Sequence, residues 1–471
     1  MRARLLIVLV GVIAGCVHYT PTPLDPADAA HQLETRTLSD DGLRTFIDST
    51  APEMARHWPR ESWDVVGLTL AALYFQPSLK VARAEWAAAG ADIRTASARP
   101  NPALTAGPGY NVNASGFTPW LPFATLEWPI ETAGKRRYRV AKAEHLSDAA
   151  RLQIHTTAWQ IQSHVRSALV DCIAAAKRQA LLRQQVALQE RAIELLEQRG
   201  ATGAISTAEI APARLALQRL RLDESAARSQ RSEARVRLAE AVAVPVSALD
   251  DVALTFDLSA IPADVSRLTA RDARYQALVG RPDILAGLSD YAASQAALQL
   301  EIAKQYPDLR LSPGYQLDDG ENKWTIGVSV ELPIFNRNQG RIAEADARRA
   351  LAAAHFEALQ AAVIAEVDRA VALYSTAADI VAQAREVVAV QQQHFRSVHD
   401  QYQAGAVDRL ELLNAQLDLG GSQVVLVISE TRLQQAVGAL VDAVQQPWDF
   451  EQLARTTSQT DEHRPARWPE P

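Results

Sequence analysis

Hydrophobic positions along this chain follow two periods. Over long stretches they recur every three or four residues, the spacing of one helix face. Over two short runs, ending near Pro129 and Pro333, they alternate with polar positions, the spacing of a half-buried strand. The helical period dominates. Residues 133 to 199 contain no Pro and little Gly beyond Gly134, and Ile154, Ile161, Val165, Leu169 and Ile173 give them an apolar stripe. At about 1.5 Å per residue such a helix is roughly 100 Å long, against about 10–14 residues for an ordinary globular helix. A second long stretch covers 339 to 403, where Val371, Tyr374, Ala378, Val381 and Val388 follow a coiled-coil seam interrupted by Arg385. Each ends in a Gly-containing breaker, at Arg199–Ile205 and at Tyr402–Gly405. Return helices follow at 206–242, with Pro212 in the first turns, and at 408–445, with Leu410, Leu413 and Leu417 on the seam.

These runs, each with a second strand-like stretch before it, precede the long helices. Ala103–Val112 and Trp120–Ile130 predict one hairpin (103–130); Asp308–Leu317 and Lys323–Phe335 predict another (308–335), turning at Asp318–Asn322. In the last strand Trp324, Ile326, Val328 and Val330 alternate with Thr325, Gly327, Ser329 and Glu331, the pattern of a lipid-facing barrel strand. Strands of about ten residues suit a tilted membrane crossing. Tyr110, Phe117, Trp120, Phe123 and Trp128 then suit an interfacial aromatic girdle, or else the buried face of a soluble hairpin. Pro129 and Pro333 are expected to end the pairing, because Pro cannot donate to a ladder. Thr132 and Asn338 are the expected N-caps of the long helices.

The two halves repeat one order. A short helix (64–74; 271–279) leads to a longer one after Pro77 or Pro282, then the hairpin, the long helix, a tight turn and the return helix. The motifs around Pro129-Ile130 and Pro333-Ile334 lie about 204 residues apart, the signature of an internal duplication. This divides the chain into a first repeat at 63–243, an inter-repeat segment at 244–270 with room for one short strand, and a second repeat at 271–446. Residues 16–62, rich in Pro, Asp, Thr and Ala, read as an extended linker with short helical pieces, and 447–471 as a disordered tail.

The N-terminus changes the picture. Arg2 and Arg4, the apolar run Leu5–Ile13 and then Ala14-Gly15-Cys16 read as a signal peptide (1–15) ending in a lipobox-like site with Cys16 as the lipidated residue; an ordinary signal peptide with a chance Cys is the other reading. Acyl chains stabilise membrane attachment by about 0.8 kcal/mol per buried CH₂. No later apolar run reads as a membrane-spanning helix. The only other cysteine, Cys172, excludes an intramolecular disulfide in the processed chain and reads as a small core residue.

Composition narrows the function. The 471 residues are 48% hydrophobic but only 6% aromatic, and a net charge of −7 argues against a nucleic-acid binder. No phosphate loop, metalloprotease motif or nucleophile elbow is present, so neither enzyme chemistry nor a cofactor is assigned. His394, His399 and Asp400 do not read as a metal site, because a five-residue spacing places two side chains poorly on one helix face.

Four strands per chain cannot close a membrane barrel, whose smallest forms have about eight. Several copies must pool their strands. Here the chain resembles the TolC-like outer membrane efflux factors, over about residues 62 to 446. Glu127-Trp128-Pro129-Ile130 with Gly134-Lys135-Arg136, Arg139 and Ala143 resembles the CzcC-like cation-efflux branch; Val330-Glu331-Leu332-Pro333-Ile334-Phe335 with Asn338-Gln339-Gly340 is shared more widely. The resemblance implies a mainly α fold with a membrane β-barrel portion: an internally duplicated long-helix tunnel and a twelve-stranded barrel shared by a homotrimer. It implies a passive efflux duct for heavy-metal cations, or alternatively for drugs or other organic solutes; a reading of a different class is a soluble periplasmic coiled-coil scaffold without a channel. Its implied partners are a periplasmic adaptor protein, an inner-membrane RND-type pump and outer membrane lipids. Val17 after the lipidated Cys fits sorting to the outer membrane. Gly203 and Gly405 correspond to the periplasmic tips that dock the adaptor. Glu209, Glu411, Tyr402 and Arg409 become entrance-gate candidates, although a solvated helix face is an equal reading of the two glutamates. Asn414 and Val407 depart from the family pattern of an acidic second layer and an Arg latch.

Overall fold

The computed structural model describes residues 19 to 445 apart from 57, 113–115, 117, 251, 263–264 and 266–267. The expected signal peptide, Cys16, Phe117 and the tail at 447–471 lie outside the described residues.

The first repeat contains α4 (Val65–Phe75), α5 (Pro77–Ser97), β2 (Ala103–Tyr110), β3 (Trp120–Ile130), α6 (Lys135–Ala201) and α7 (Thr207–Val242). The second contains α8 (Ala270–Gly280), α9 (Pro282–Ala303), β5 (Leu309–Asp318), β6 (Glu321–Val330), α10 (Gln339–Gln403) and α11 (Arg409–Val444). Ahead of the first lie α1 (Pro26–Glu34), α2 (Asp41–Thr50), α3 (Pro52–Ala55) and β1 (Ser62–Trp63); β4 (Ala253–Leu254), between the repeats, pairs with β1 in parallel.

The elements form four columns. The sheet order is β2-β3-β5-β6. Beside it the helices pack in the order α5-α6-α9-α10, and farther out in the order α7-α6-α11-α10. Thus α6, with 67 residues, and α10, with 65, run the full length. The other two columns are assembled from shorter helices, α5 (21 residues) with α7 (36), and α9 (22) with α11 (36).

Side chains close both end-to-end joints. The last carbonyls of a helix lack intrahelical partners. At the first joint Gln76, the N-cap of α5, donates its amide to the carbonyls of Glu240 and Ala241, both at 2.9 Å. Arg36 donates to the carbonyls of Ala243 (2.8 Å) and Phe75 (3.2 Å). At the second, Arg281, the N-cap of α9, donates to the Ala443 carbonyl at 3.0 Å while pairing with Asp283 and Glu366, each at 2.8 Å. A cation suits a helix C-terminus, where the backbone dipole is negative. Around these joints lie two apolar cores. One gathers Leu43, Ile47, Leu68, Leu169 and Leu238; the other gathers Ile284, Val367, Leu433, Val437 and Leu440.

Several expectations are revised. The stretch read as an extended linker with short helical pieces has such a piece in α2, but α2 is not peripheral: it buries Leu43, Phe46 and Ile47 in the first core. Their i, i+3, i+4 spacing forms one helix face, which the polar composition around it obscures. Pairing does not stop at Pro129: Pro129 and Ile130 still face Arg310 and Leu309. The β3–β5 ladder instead skips Leu126 and Glu127, at the level of Pro313, which has no N–H to donate. By length and composition, α10 and α11 each contain a stretch apolar enough to cross a membrane, where none was expected. In α10 the excess arises because it has two apolar faces, one packed on α11 through Val367 and Val381 and one exposed at Leu373, Ile380 and Val387.

The joints make unequal contributions. Replacing Arg281 by Met strands Asp283, Glu366 and a helix-end carbonyl, and is expected to cost about 2–4 kcal/mol. Gln76→Leu removes neutral hydrogen bonds, with an expected loss of about 1 kcal/mol. Denaturant unfolding of the two variants checks the order.

Candidate functional site

Three regions of the columns carry features beyond packing: the passage from sheet to helix, the turns at the far end, and the lateral edges.

At the passage, the backbone turns through left-handed residues before each long helix. Gly134 has φ 70° and Asn338 has φ 63°. Neither supplies a side-chain cap to the helix that follows. Thr132, the expected cap, instead donates its hydroxyl to the Pro307 carbonyl (2.6 Å) and its N–H to Asp308 (2.9 Å). The β3–β5 pairing brings Asp308 within reach, so tertiary contact displaces the local cap. Asn338 donates its amide to the carbonyl and carboxylate of Glu301 at 2.8 and 2.9 Å. The basic cluster behind Gly134 is occupied in the same way. Lys135, buried, pairs with Asp308 at 2.7 Å. Arg139 binds Glu131 at 2.7 and 3.2 Å and also the carbonyls of Ala96 and Ala98. Arg136 donates to the Ser97 carbonyl. These cations fasten the end of α5 and the start of β5 to the start of α6.

At the far end the two turns are built alike. Gly203 (φ 75°) follows α6 and Gly405 (φ 74°) follows α10, each in the left-handed region that a Cβ would strain. Next comes an N–H reaching back into the helix, Ala204 to Arg199 at 3.0 Å and Ala406 to Gln401 at 2.8 Å, the pattern of a Schellman closure. Ser206 and Asp408 then start the return helices. Glu209 accepts from the Ser206 hydroxyl at 2.8 Å, so this gate candidate serves a capping box. Asp408 accepts the Glu411 N–H at 2.9 Å and, with its other oxygen, Arg199 at 2.5 Å. That ion pair ties the two turns together. Glu411 and Arg409 are exposed, as is Asn414. Tyr402 is half-buried and its hydroxyl makes no hydrogen bond among the described residues. The candidates are gathered at one end, but the pair that joins the hairpins, Arg199 and Asp408, was not among them. A capping position three residues before Glu411 was the available signal for Asp408; nothing local marked Arg199.

His394 and His399 do not converge with other ligands: no group of three or more His, Cys, Asp or Glu side chains suited to a metal is found among the described residues. His399 lies against Phe395, with ring centroids 6.0 Å apart.

The lateral edges are unpartnered within the chain. β2 and β6 each have one paired neighbour. Every residue of β6 is exposed, with Trp324 at 80%, Ile326 at 79% and Val328 at 68%. Its turn needs only Asp319 and Gly320, both at positive φ, as a tight primed turn requires. Tyr110 packs on Trp120 and Tyr315 on Trp324, ring centroids 5.0 Å apart in both pairs, so cross-strand aromatic pairs lie on both hairpins. On the helices, α7 exposes Leu215, Leu222 and Val236, and α10 exposes Leu373, Ile380 and Val387. Both sets fall at heptad intervals, with Ser229 at the skipped position of α7.

The family model described as Outer membrane efflux protein matches residues 70–244 and 273–444, the two repeats. Among curated proteins, the cobalt-zinc-cadmium resistance protein CzcC of Cupriavidus metallidurans is 26% identical over 229 residues, a match spanning 46% of this chain and only 51% of CzcC. The pyoverdine export outer membrane protein OpmQ of Pseudomonas aeruginosa is 25% identical over 346 residues, 70% of this chain and 71% of OpmQ. Among solved structures, the outer membrane protein VceC of Vibrio cholerae superposes with a TM-score of 0.64 at 22% identity, covering 81% of this chain and 95% of VceC.

The tie between the turns has a defined pH response. Arg199, and then the Glu411 N–H, hold the Asp408 carboxyl below the usual aspartate range. A depressed folded-state value means that the contribution is complete above the unfolded value, about 3.9, and is lost as pH falls through the lower folded one. Hydrogen exchange at Leu410 and Glu411, corrected for intrinsic rates, is expected to accelerate below about pH 4. In Asp408→Asn, which keeps a capping oxygen but not the charge, protection is expected to be lower and to vary less with pH.

Proposed function

Because the chain belongs to the outer membrane efflux protein family, we propose that it forms a trimeric outer membrane duct through which solutes delivered from the cell interior leave passively. The observation that carries this reading is the coincidence of edges. The column that ends in β2 also contains α5 and α7; the opposite column contains β6 and α10. Each edge has an unpaired strand in line with an apolar heptad stripe. The two edges differ, so contact between copies is head-to-tail, the type that closes into a ring. Three copies supply twelve strands, above the closure minimum of about eight. β2 of one copy pairs with β6 of the next, and the α7 stripe packs on the α10 stripe. The outward apolar row of β6 then faces lipid. A periplasmic adaptor docks at the Gly203 and Gly405 turns, and an RND-type pump loads the duct. Glu209, Glu411, Tyr402 and Arg409 stand at this entrance, and release of the Arg199–Asp408 tie is a step in its opening. Cys16 supplies the lipid anchor. A duct of this kind uses no catalytic residue.

Heavy-metal cations remain the preferred cargo, on the likeness to CzcC. The structure gives Lys135, Arg136 and Arg139 work at the strand–helix passage, so these residues do not themselves argue for a metal path. The likeness to OpmQ, named for pyoverdine export, favours an organic solute as the second reading.

Leu222→Glu and Ile380→Glu place a charge on each stripe, and either is expected to reduce a detergent-solubilised trimer to monomer by native mass spectrometry. The unmodified protein is expected to give discrete conductance steps in planar bilayers; solubility without detergent and no conductance would sink the duct. For cargo, deletion of the gene is expected to lower tolerance to zinc, cobalt, cadmium or copper. Unchanged metal tolerance with increased drug sensitivity would select the organic-solute reading.

A further inference from the structure

The two repeats differ where the sheet hands over to a long helix. With Pro129 aligned to Pro333 and Gly134 to Asn338, Glu131 corresponds to Phe335, Ala133 to Arg337 and Arg139 to Ala343. In the first repeat Arg139 binds Glu131 and the Ala96 and Ala98 carbonyls, which ties the end of α5 to the start of α6. In the second, neither partner of that ion pair is present. A groove of about 690 Å³ is left between α9 and α10, walled by Leu298, Ile302, Ile334, Phe335 and Ile342. Phe335 is 96% exposed. A large apolar side chain held open beside an apolar groove marks a surface that something apolar covers.

Two observations say what covers it. First, the sheet has unlike faces. Residues directly opposite in a ladder share a face. The rows Trp128–Leu311–Val328 and Ile130–Leu309–Val330 are wholly apolar, whereas Phe123–Gln316–Lys323 and Pro129–Arg310–Ser329 carry polar groups. The groove lies at the end of the apolar face: α9 leads into β5 at Leu309, and β6 leaves through Val330 and Leu332 to Ile334 and Phe335. Second, a cation stands free at the groove. Arg337 is exposed on the lining, and its guanidinium makes no hydrogen bond or ion pair among the described residues. The acids around it are engaged or turned away. Asp346, on the lining, pairs with Arg349 at 2.8 Å, and Glu301 pairs with Lys304 at 2.6 Å. Glu331 continues the β6 alternation onto the polar face.

We propose that this groove is a phospholipid site: an acyl chain lies along Leu298, Ile302 and Ile342 beside Phe335, and the headgroup phosphate takes the Arg337 guanidinium. A guanidinium fork matches two phosphate oxygens, and it is weakly hydrated, which suits a membrane surface. The Gln339 side-chain oxygen accepts the Arg337 N–H at 2.8 Å, which leaves the Gln339 amide N–H groups for the phosphate as well. Each chain has one such site, in the second repeat; in the first, Glu131 and Arg139 occupy the corresponding positions with an ion pair. The inference rests on the outer membrane reading above, because it places the groove at the level of the headgroups where the sheet ends.

The test is native mass spectrometry of the full-length detergent-solubilised protein titrated with phosphatidylglycerol in mixed micelles, with bound lipid counted per chain. One tightly held molecule per chain is expected. Arg337→Gln is expected to weaken its retention at least tenfold. Ala343→Phe, which fills the groove and leaves Arg337 in place, is expected to do the same. Arg136→Gln, which removes a cation from the first passage, is expected to change retention less than twofold. A diacylglycerol with the same acyl chains but no phosphate is expected to bind at least tenfold more weakly. Equal phosphatidylglycerol retention in the unmodified, Arg337→Gln and Ala343→Phe proteins would overturn the site; if conductance persists, the duct reading stands without it. Diacylglycerol held as tightly as phosphatidylglycerol would also overturn it. Dissociation of the trimer by Arg337→Gln, with lipid per chain unchanged, would assign the groove to a neighbouring copy instead. A protein that is monomeric and gives no conductance would sink the duct, whereas the count per chain still reports on the groove.

Discussion

Two continuous helices set the length of this molecule, and every other column is made to match. α6 and α10 run from the sheet to the far turns without interruption, whereas their partners are assembled from two pieces. A break within a packed column exposes a set of unpaired carbonyls on one helix and of N–H groups on the next. Leaving such groups buried and unsatisfied is among the more expensive defects available to a fold. Gln76 and Arg36 answer this at one joint and Arg281 at the other. The cores gather around these joints, which is where the N-terminal helices and the inter-repeat segment attach.

The same arrangement leaves the lateral edges incomplete. A β-hairpin pair in isolation has open edges that lipid cannot satisfy and that water makes prone to misassociation. A helix layer with apolar heptads on its outer flanks has a similar deficit. Because both deficits lie on the same columns, the one head-to-tail contact proposed above would relieve both at once. Within that proposal a single copy is a segment of a ring, with the two repeats supplying different flanks.

The duplication is conserved in backbone more than in chemistry. Gly134 and Asn338 turn the chain through the same left-handed region, yet one is followed by a cationic cluster bound to Asp308 and Glu131 while the other holds Glu301 through an amide. The far turns share their glycines and their closures, yet one return helix begins with Ser206 and the other with Asp408. That difference is what allows Arg199 to join them. Equivalent positions in a duplicated chain can carry the same geometry and unequal electrostatics, because a backbone turn constrains φ while leaving the exposed side chain free to diverge.

The amino-acid sequence by itself determined the features governed by neighbouring residues. The long helices are legible in the absence of Pro across 135–201 and 339–403, the far turns in Gly203 and Gly405, the β6 strand in its strict alternation, and the doubled order in the repeated motifs. Each depends on local steric preference or on a period along the chain. Tertiary structure alone decided that β3 pairs with β5 to make one sheet, that α2 belongs to a core, that Thr132 and Lys135 serve Asp308, and that Arg199 meets Asp408. In each pair that spans the two repeats, the partners lie 173 to 209 residues apart. No period along the chain encodes a contact across that distance, since it exists only once the helices fix which columns stand side by side.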